Sequence, residues 1–197
     1  MHRAVDLTNA QPPRARKWSR EEYYRMAEAG LFEGQRVQLI DGDILEMSPQ
    51  GYRHAQGIGL VQASVQRVFS ADVWIRVQLP LTCPDGSEPK PDIAVVRGSP
   101  RDYPQHPTTA LLVVEVSDAS SELDLGKKTS LYASTGIDDY WVVDMVENCV
   151  HIFRKPVKDL EADFGVRYSE SQQHSADAVI SPLAKPDAII MVADLLP

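Results

Sequence analysis

A chain of 197 residues that is 43% hydrophobic and 24% charged is long enough to bury a core as one domain, which excludes fibrous, disordered and disulfide-dependent classes. Its net charge of −8 repels polyanions at long range. That argues against a sequence-indifferent nucleic-acid binder, but not against an enzyme that holds nucleic acid through bound cations.

Residues 1–17 are expected to form a flexible tail, because Pro12, Pro13 and their polar neighbours give nothing to pack, and residues 18–197 a single domain. The tail carries the one basic cluster, Arg14, Arg16 and Lys17, continued by Arg20. It has no apolar segment of signal-peptide type, and no run of about 18 apolar residues occurs, so a cytoplasmic chain without a membrane span is expected. Cys83 and Cys149 lack metal-type spacing and are expected to be buried thiols outside any site.

Ser19, with Glu22 three residues later, forms a capping-box pattern and predicts a helix to Gly30. Asp41-Gly42 between two short apolar runs predicts a hairpin. After the break at Ser48 to Gly51, the apolar spacing of Ile58, Val61, Val65 and Val68 predicts a helix over 52–69, with His54 one turn ahead of Ile58. Residues 73–81 read as a strand, and CPDGSEPKP as the loop into a strand that opens at Asp92. LLVVEVS (111–117) is apolar on both faces, as a central strand covered on both sides would be. A helix over 121–135 should stop at Gly136, followed by a strand pair, DDYWVVD and CVHIF, that turns near Glu147-Asn148. The strand-helix-strand unit over 111–144 implies a parallel pair. The fold class is therefore α/β or α+β, a mixed central sheet flanked by helices.

Two acids interrupt these core strands. By alternation Glu115 shares a face with Val113 and Ser117, and Asp92 is the polar end of a face with Ala94 and Val96. A buried carboxylate is costly without a cation or several donors. Two of them on adjacent strands would attract a hard cation such as Mg²⁺, which accepts one or two carboxylates together with waters and phosphate oxygens. Lys128 falls on the apolar stripe of its helix, three residues after Leu125 and four before Tyr132. This aims an ammonium at the sheet unless its stem packs and its charge snorkels into water. His54 is either a hydrogen-bonded core histidine or a group that orients a ligand, water or leaving group. Asp124 is expected to cap a helix or partner a lysine, and Tyr140 and Trp141 to pack.

The order SEPKPD (87–92), VVEVS (113–117) and DLGKKTSLYASTGIDDYWVVD (124–144), with LIDGDILEMSP, His54, VQLP and the closing VADLL, resembles the Uma-two family. This family belongs to the PD-(D/E)XK nuclease superfamily, and the likeness runs through nearly the whole chain from about residue 16. The resemblance implies a restriction-endonuclease-like core and a Mg²⁺-dependent endonuclease acting on DNA, with Mn²⁺ able to substitute. It implies Asp92 and Glu115 as metal ligands, joined by the backbone carbonyl of Val116. The superfamily's lysine two residues after the acid is Ser117 here, so Lys128 stands as its migrated replacement, and His54 matches the family's histidine. Gln38 departs from the pattern where many relatives carry a glutamate, with Glu46 close by in the hairpin. Two rivals accompany this expectation: a weak or inactive nuclease-fold module that binds protein or nucleic acid, and a phosphodiesterase of small substrates. Analogy with endonucleases of this fold makes a homodimer the expected assembly.

Overall fold

The computed structural model describes residues 14–69, 72–118 and 121–197. Most of the expected tail, residues 1–13, lies outside the described residues. Within its end, Arg16 pairs with Glu22 and stacks over Trp18, and Lys17 pairs with Asp41 and with Asp43.

Helix α1, Arg20–Glu28, begins on the reciprocal Ser19–Glu22 capping box that the sequence predicts. Strands β1 (Val37–Ile40) and β2 (Asp43–Glu46) form the expected hairpin, with Asp41 and Gly42 both at positive φ, as its tight turn requires. Tyr23 of α1 donates its hydroxyl to the Val37 carbonyl, and Glu88 N donates to the Leu39 carbonyl. The hairpin is thereby fixed against the loop that leads to Asp92.

The central sheet holds β3 (Val73–Val77), β4 (Ile93–Arg97), β5 (Leu112–Ser117), β6 (Asp139–Asp144), β7 (Cys149–Lys158) and β8 (Val166–Ser175), in that spatial order. Neighbours are antiparallel except for β5 and β6, which are parallel as the strand-helix-strand unit requires. Strand β8 escapes sequence inspection because its segment, VRYSESQQHS, is largely exposed and polar at the sheet edge.

Side-chain alternation along β5 splits the core in two. Val114 and Val116 face α2 (Tyr52–Val68) through Ile58, Val61 and Val65, and the same layer takes Ile180 of β9 (Val179–Ile180), Ile190 of β10 (Ile190–Met191), Val192 and Leu195. Val113 faces Tyr132, Ala133, Tyr140, Val142 and Tyr168. The connection between β5 and β6 is not the continuous helix over 121–135 that its periodicity suggests. It is two pieces, α3 (Ser121–Leu125) and α4 (Lys127–Ser134). Gly126 marks the break: a Cβ there would lie 2.4 Å from the Glu122 carbonyl oxygen, so the chain can pass that carbonyl only without a side chain. Gly57 has a related task, since a Cβ on it would stand 2.8 Å from Val116 and 2.9 Å from the Met145 sulfur. Helix α2 thus sits close against the end of β5, with His54 one turn before the contact.

Candidate active site

The β4–β5 register pairs Ile93 with Val114 and Ala94 with Val113, so one further step sets Asp92 opposite Glu115. The two acids share the face predicted from alternation. Asp92 N donates to Glu115 Oε2 at 3.3 Å, and Val116 N donates to Asp92 Oδ2 at 2.9 Å. Both carboxylates are buried, yet both line a cavity of about 570 Å³ whose walls include Gln38, His54, Gln78 and Lys128.

Lys128 does not snorkel. Its Nζ lies 2.9 Å from Glu115 Oε1 and 2.9 Å from Asp124 Oδ1, with the residue 1% exposed. Asp124 is the lysine partner that was one of its two expected roles, reached across the Gly126 break. His54 Nε2 approaches Asp92 Oδ1 at 3.4 Å, so the structure brings His54, Asp92, Glu115 and Lys128 into one cluster. Val116 lines the same cavity, and its N–H is committed to Asp92. Ser117, two residues after Glu115, is buried on the same face.

Sequence reasoning missed several members. Tyr132 donates its hydroxyl to Glu115 Oε1 at 2.7 Å, and its position four residues after Lys128 was the available signal. Gln78 donates its amide to Asp92 Oδ1 at 3.0 Å from a backbone with φ of 53°, a conformation costly for a residue with a Cβ and invisible in sequence. Arg36, exposed, and Lys90, half-buried, line the cavity with positive charge. Gln38 is buried, accepting from Lys90 N at 3.3 Å and donating to the Met47 sulfur at 2.9 Å, while Glu46 stands exposed on the cavity wall.

Three buried carboxylates, Asp92, Glu115 and Asp124, thus share one cluster with the buried ammonium of Lys128, which pairs directly with Glu115 and Asp124. The electrostatics follow from that surplus. Burial pushes the Glu115 carboxyl up to about 7, with Lys128 opposing and Asp124 and Asp92 adding to the rise. Burial works to lower Lys128, but Glu115 and Asp124 outweigh it and hold the ammonium above its ordinary value. For Asp92 burial works upward, yet the hydrogen bonds from His54, Val116 N and Gln78 prevail and hold it below the usual carboxylate range. The hydrogen bond to Asp92 raises His54 against desolvation. A hard divalent cation fits this donor set. It is rich in oxygen and negatively charged, and among the described residues Glu115 Oε2 has one long hydrogen bond, from Asp92 N.

The geometry agrees with what the chain resembles. A family model described as "Putative restriction endonuclease", Uma2, matches residues 20–189. Among solved structures, a "putative nuclease belonging to DUF820" from Anabaena variabilis is similar with a TM-score of 0.69 at 17% sequence identity. That match covers 90% of this chain and 96% of the other, and the shared architecture is the restriction-endonuclease-like mixed sheet. No curated protein matches in sequence. With its two strand acids in register and its helical lysine turned inward, the chain belongs to the Uma2 family.

Proposed function

We propose that this protein is a Mg²⁺-dependent endonuclease that hydrolyses phosphodiester bonds in DNA, with residues 18–197 acting as one catalytic domain in the cytoplasm. The observation that carries the proposal is the opposition of Asp92 and Glu115 across adjacent strands, beside a buried lysine and open to a cavity. Asp92, Glu115 and the Val116 carbonyl would hold the cation, and Mn²⁺ would substitute for it. When bound, such a cation supplies Lewis acidity toward water and phosphate oxygens.

The chain's own groups do the rest. In the reaction a water oxygen joins phosphorus and gives up a proton, the bond to one deoxyribose oxygen breaks, and that leaving oxygen takes up a proton. Lys128 sets a fixed positive charge beside the reacting phosphate, where charge builds up in the transition state. Tyr132 and Lys128 together fix Glu115 Oε1, which leaves Oε2 turned to its other neighbours. His54 and Gln78 orient Asp92. Arg36 and Lys90 offset the acidic surface locally and contact flanking phosphates. By analogy with endonucleases of this fold, which commonly pair two such sites, the acting species is a homodimer, which light scattering on the purified protein measures.

The test is DNA cleavage with Mg²⁺ or Mn²⁺ by the wild type and by Asp92→Ala, Glu115→Ala and Lys128→Ala. Activity in the wild type alone is the expected result, and a wild type that cuts no nucleic acid refutes the proposal. Gln38 favours a second reading, a binding module with weak or no catalysis, because its amide is already committed and adds no charge to the site. Calorimetric titration with Mn²⁺ separates the two: binding that Glu115→Ala leaves unchanged, or no binding, favours the module.

A further inference from the structure

On the same sheet face as the acids, β6 ends at Asp144 and β7 opens at Cys149, the two residues being paired, and His151 is paired with Val142. Alternation therefore brings Asp144, Cys149 and His151 to one side of the hairpin. Their donor atoms converge. Cys149 Sγ lies 3.5 Å from His151 Nε2, Asp144 Oδ2 lies 3.8 Å from the same nitrogen, and all three atoms fall within 4.8 Å of one another.

We propose that Asp144, Cys149 and His151 form a second metal site, one that takes Zn²⁺ and keeps its fourth position open.

Both neighbours reach for Nε2, and this decides between two chemistries. A Cys-His-Asp proton relay needs the two ring nitrogens to serve different partners. Here the thiol and the carboxylate crowd a single nitrogen, which has one lone pair or one hydrogen to offer. Three donors around one cation have no such conflict. Tetrahedral bonds of roughly 2.3 Å to sulfur and 2.0–2.1 Å to nitrogen set those atoms about 3.5 Å apart, as Cys149 and His151 stand, and the Asp144 oxygen at 3.8 Å needs to close by only about 0.3 Å.

The ligands are also held from outside. Asp144 Oδ1 accepts from Val146 N and from Glu147 N at 2.9 Å each, which turns Oδ2 toward the histidine. Gln173 of β8 donates its amide to Cys149 Sγ at 3.1 Å, a bond that suits a thiolate. Asp144 and Cys149 are buried, while the partly exposed His151 gives a path for entry. Ser117, paired with Asp144 from β5, shares this face. Its hydroxyl is buried without a hydrogen-bond partner among the described residues, and it is available to a water in the fourth position. One sulfur, one nitrogen and one oxygen select a borderline cation over Mg²⁺, which separates this site from the all-oxygen pair at Asp92 and Glu115.

Cobalt titration of the full chain tests the assignment, because Co²⁺ on a thiolate shows a charge-transfer absorption and tetrahedral d–d bands that Co²⁺ on carboxylates lacks. One equivalent should produce these bands. Zn²⁺ should abolish them, and millimolar Mg²⁺ should not. They should persist in Glu115→Gln, vanish in Cys149→Ser, and need ~10–100-fold more metal in Gln173→Leu. No charge-transfer band in the wild type overturns the proposal. So does a band that survives in Cys149→Ser, where Cys83 is the remaining thiol. Should circular dichroism show Cys149→Ser unfolded, His151→Asn replaces it, and unchanged bands there are equally fatal. Mg²⁺-supported cleavage by Cys149→Ser keeps the outcome separate from that of the nuclease reading.

Discussion

Glu115 and Asp139 are both buried acids of the central sheet, each beside a basic side chain and each raised by burial, but they lie on opposite faces and are built to different ends. Asp139 is closed. Its Oδ1 accepts from Trp141 Nε1 at 2.8 Å and Arg154 Nε at 2.7 Å, its Oδ2 accepts from Leu183 N at 2.7 Å, and Arg154 also holds the Ser181 carbonyl. One negative charge meets one positive charge, and both oxygens are filled. Around Glu115 three carboxylates meet one ammonium, and the group opens on a cavity. Burial, ion pairing and a raised carboxyl are common to both regions, so none of them marks function. Surplus charge and access are what set the Glu115 region apart.

The widest separation between the two regions should come from paired substitutions. Glu115→Ala should reduce Mg²⁺-dependent DNA cleavage on the order of 10²–10³-fold while leaving the fold intact, since it removes charge from an overcharged cluster. Asp139→Ala should spare activity per folded molecule and cost about 3–5 kcal/mol in urea unfolding, because it strands Arg154 and two further donors, Trp141 Nε1 and Leu183 N. Equal stability losses in the two variants would break the contrast.

Lys128→Met should combine both effects. It removes the cation among three acids, with an expected loss of about 3 kcal/mol or more in metal-free buffer, and Mg²⁺ should restore part of that in thermal melts.

A smaller effect is expected from pH. The folded Glu115 carboxyl, raised to about 7, holds a proton that the unfolded chain has released above the ordinary glutamate value. Stability of the metal-free protein should therefore fall as pH rises from about 4.5 toward 7, and Mg²⁺ should flatten that fall by replacing the proton. Asp139, also raised, acts in the same sense, and His54, raised from 6.5, extends the fall above that pH. Glu115→Gln should accordingly weaken the slope without abolishing it, as melts across that range would show. The mildest expected change is His54→Gln, a roughly 10–100-fold loss of cleavage rate with Asp92 still in place. An unaffected rate would make this histidine a packing residue.

The strand acids were legible in the sequence because alternation is rigid. Once the segment opening at Asp92 and residues 111–117 are strands, the faces of Asp92 and Glu115 follow, and Lys128 follows from its helical stripe. The register that sets the acids opposite each other is a property of hydrogen bonding between distant segments, and no local pattern encodes it. Gln78 was hidden for another reason, since its aim depends on a left-handed backbone that glutamine rarely adopts. Gly126 was visible, but its power to divide a helix lies in a contact with one carbonyl. Cys149 has no metal-type spacing in the sequence, and its approach to Asp144 and His151 comes from pairing across the β6–β7 hairpin, which spacing along one segment does not encode.

The central sheet runs in chain order from β3 to β8, so each strand lies beside the one translated before it or after it. Apart from His54, every side chain among the described residues that hydrogen-bonds or ion-pairs with the two acids comes from the stretch between Gln78 and Tyr132. Short loops close at least entropic cost, which makes that stretch a natural nucleus. A nascent chain would then assemble its carboxylate pair before the distal edge exists, and late strands would only shield a centre already in place.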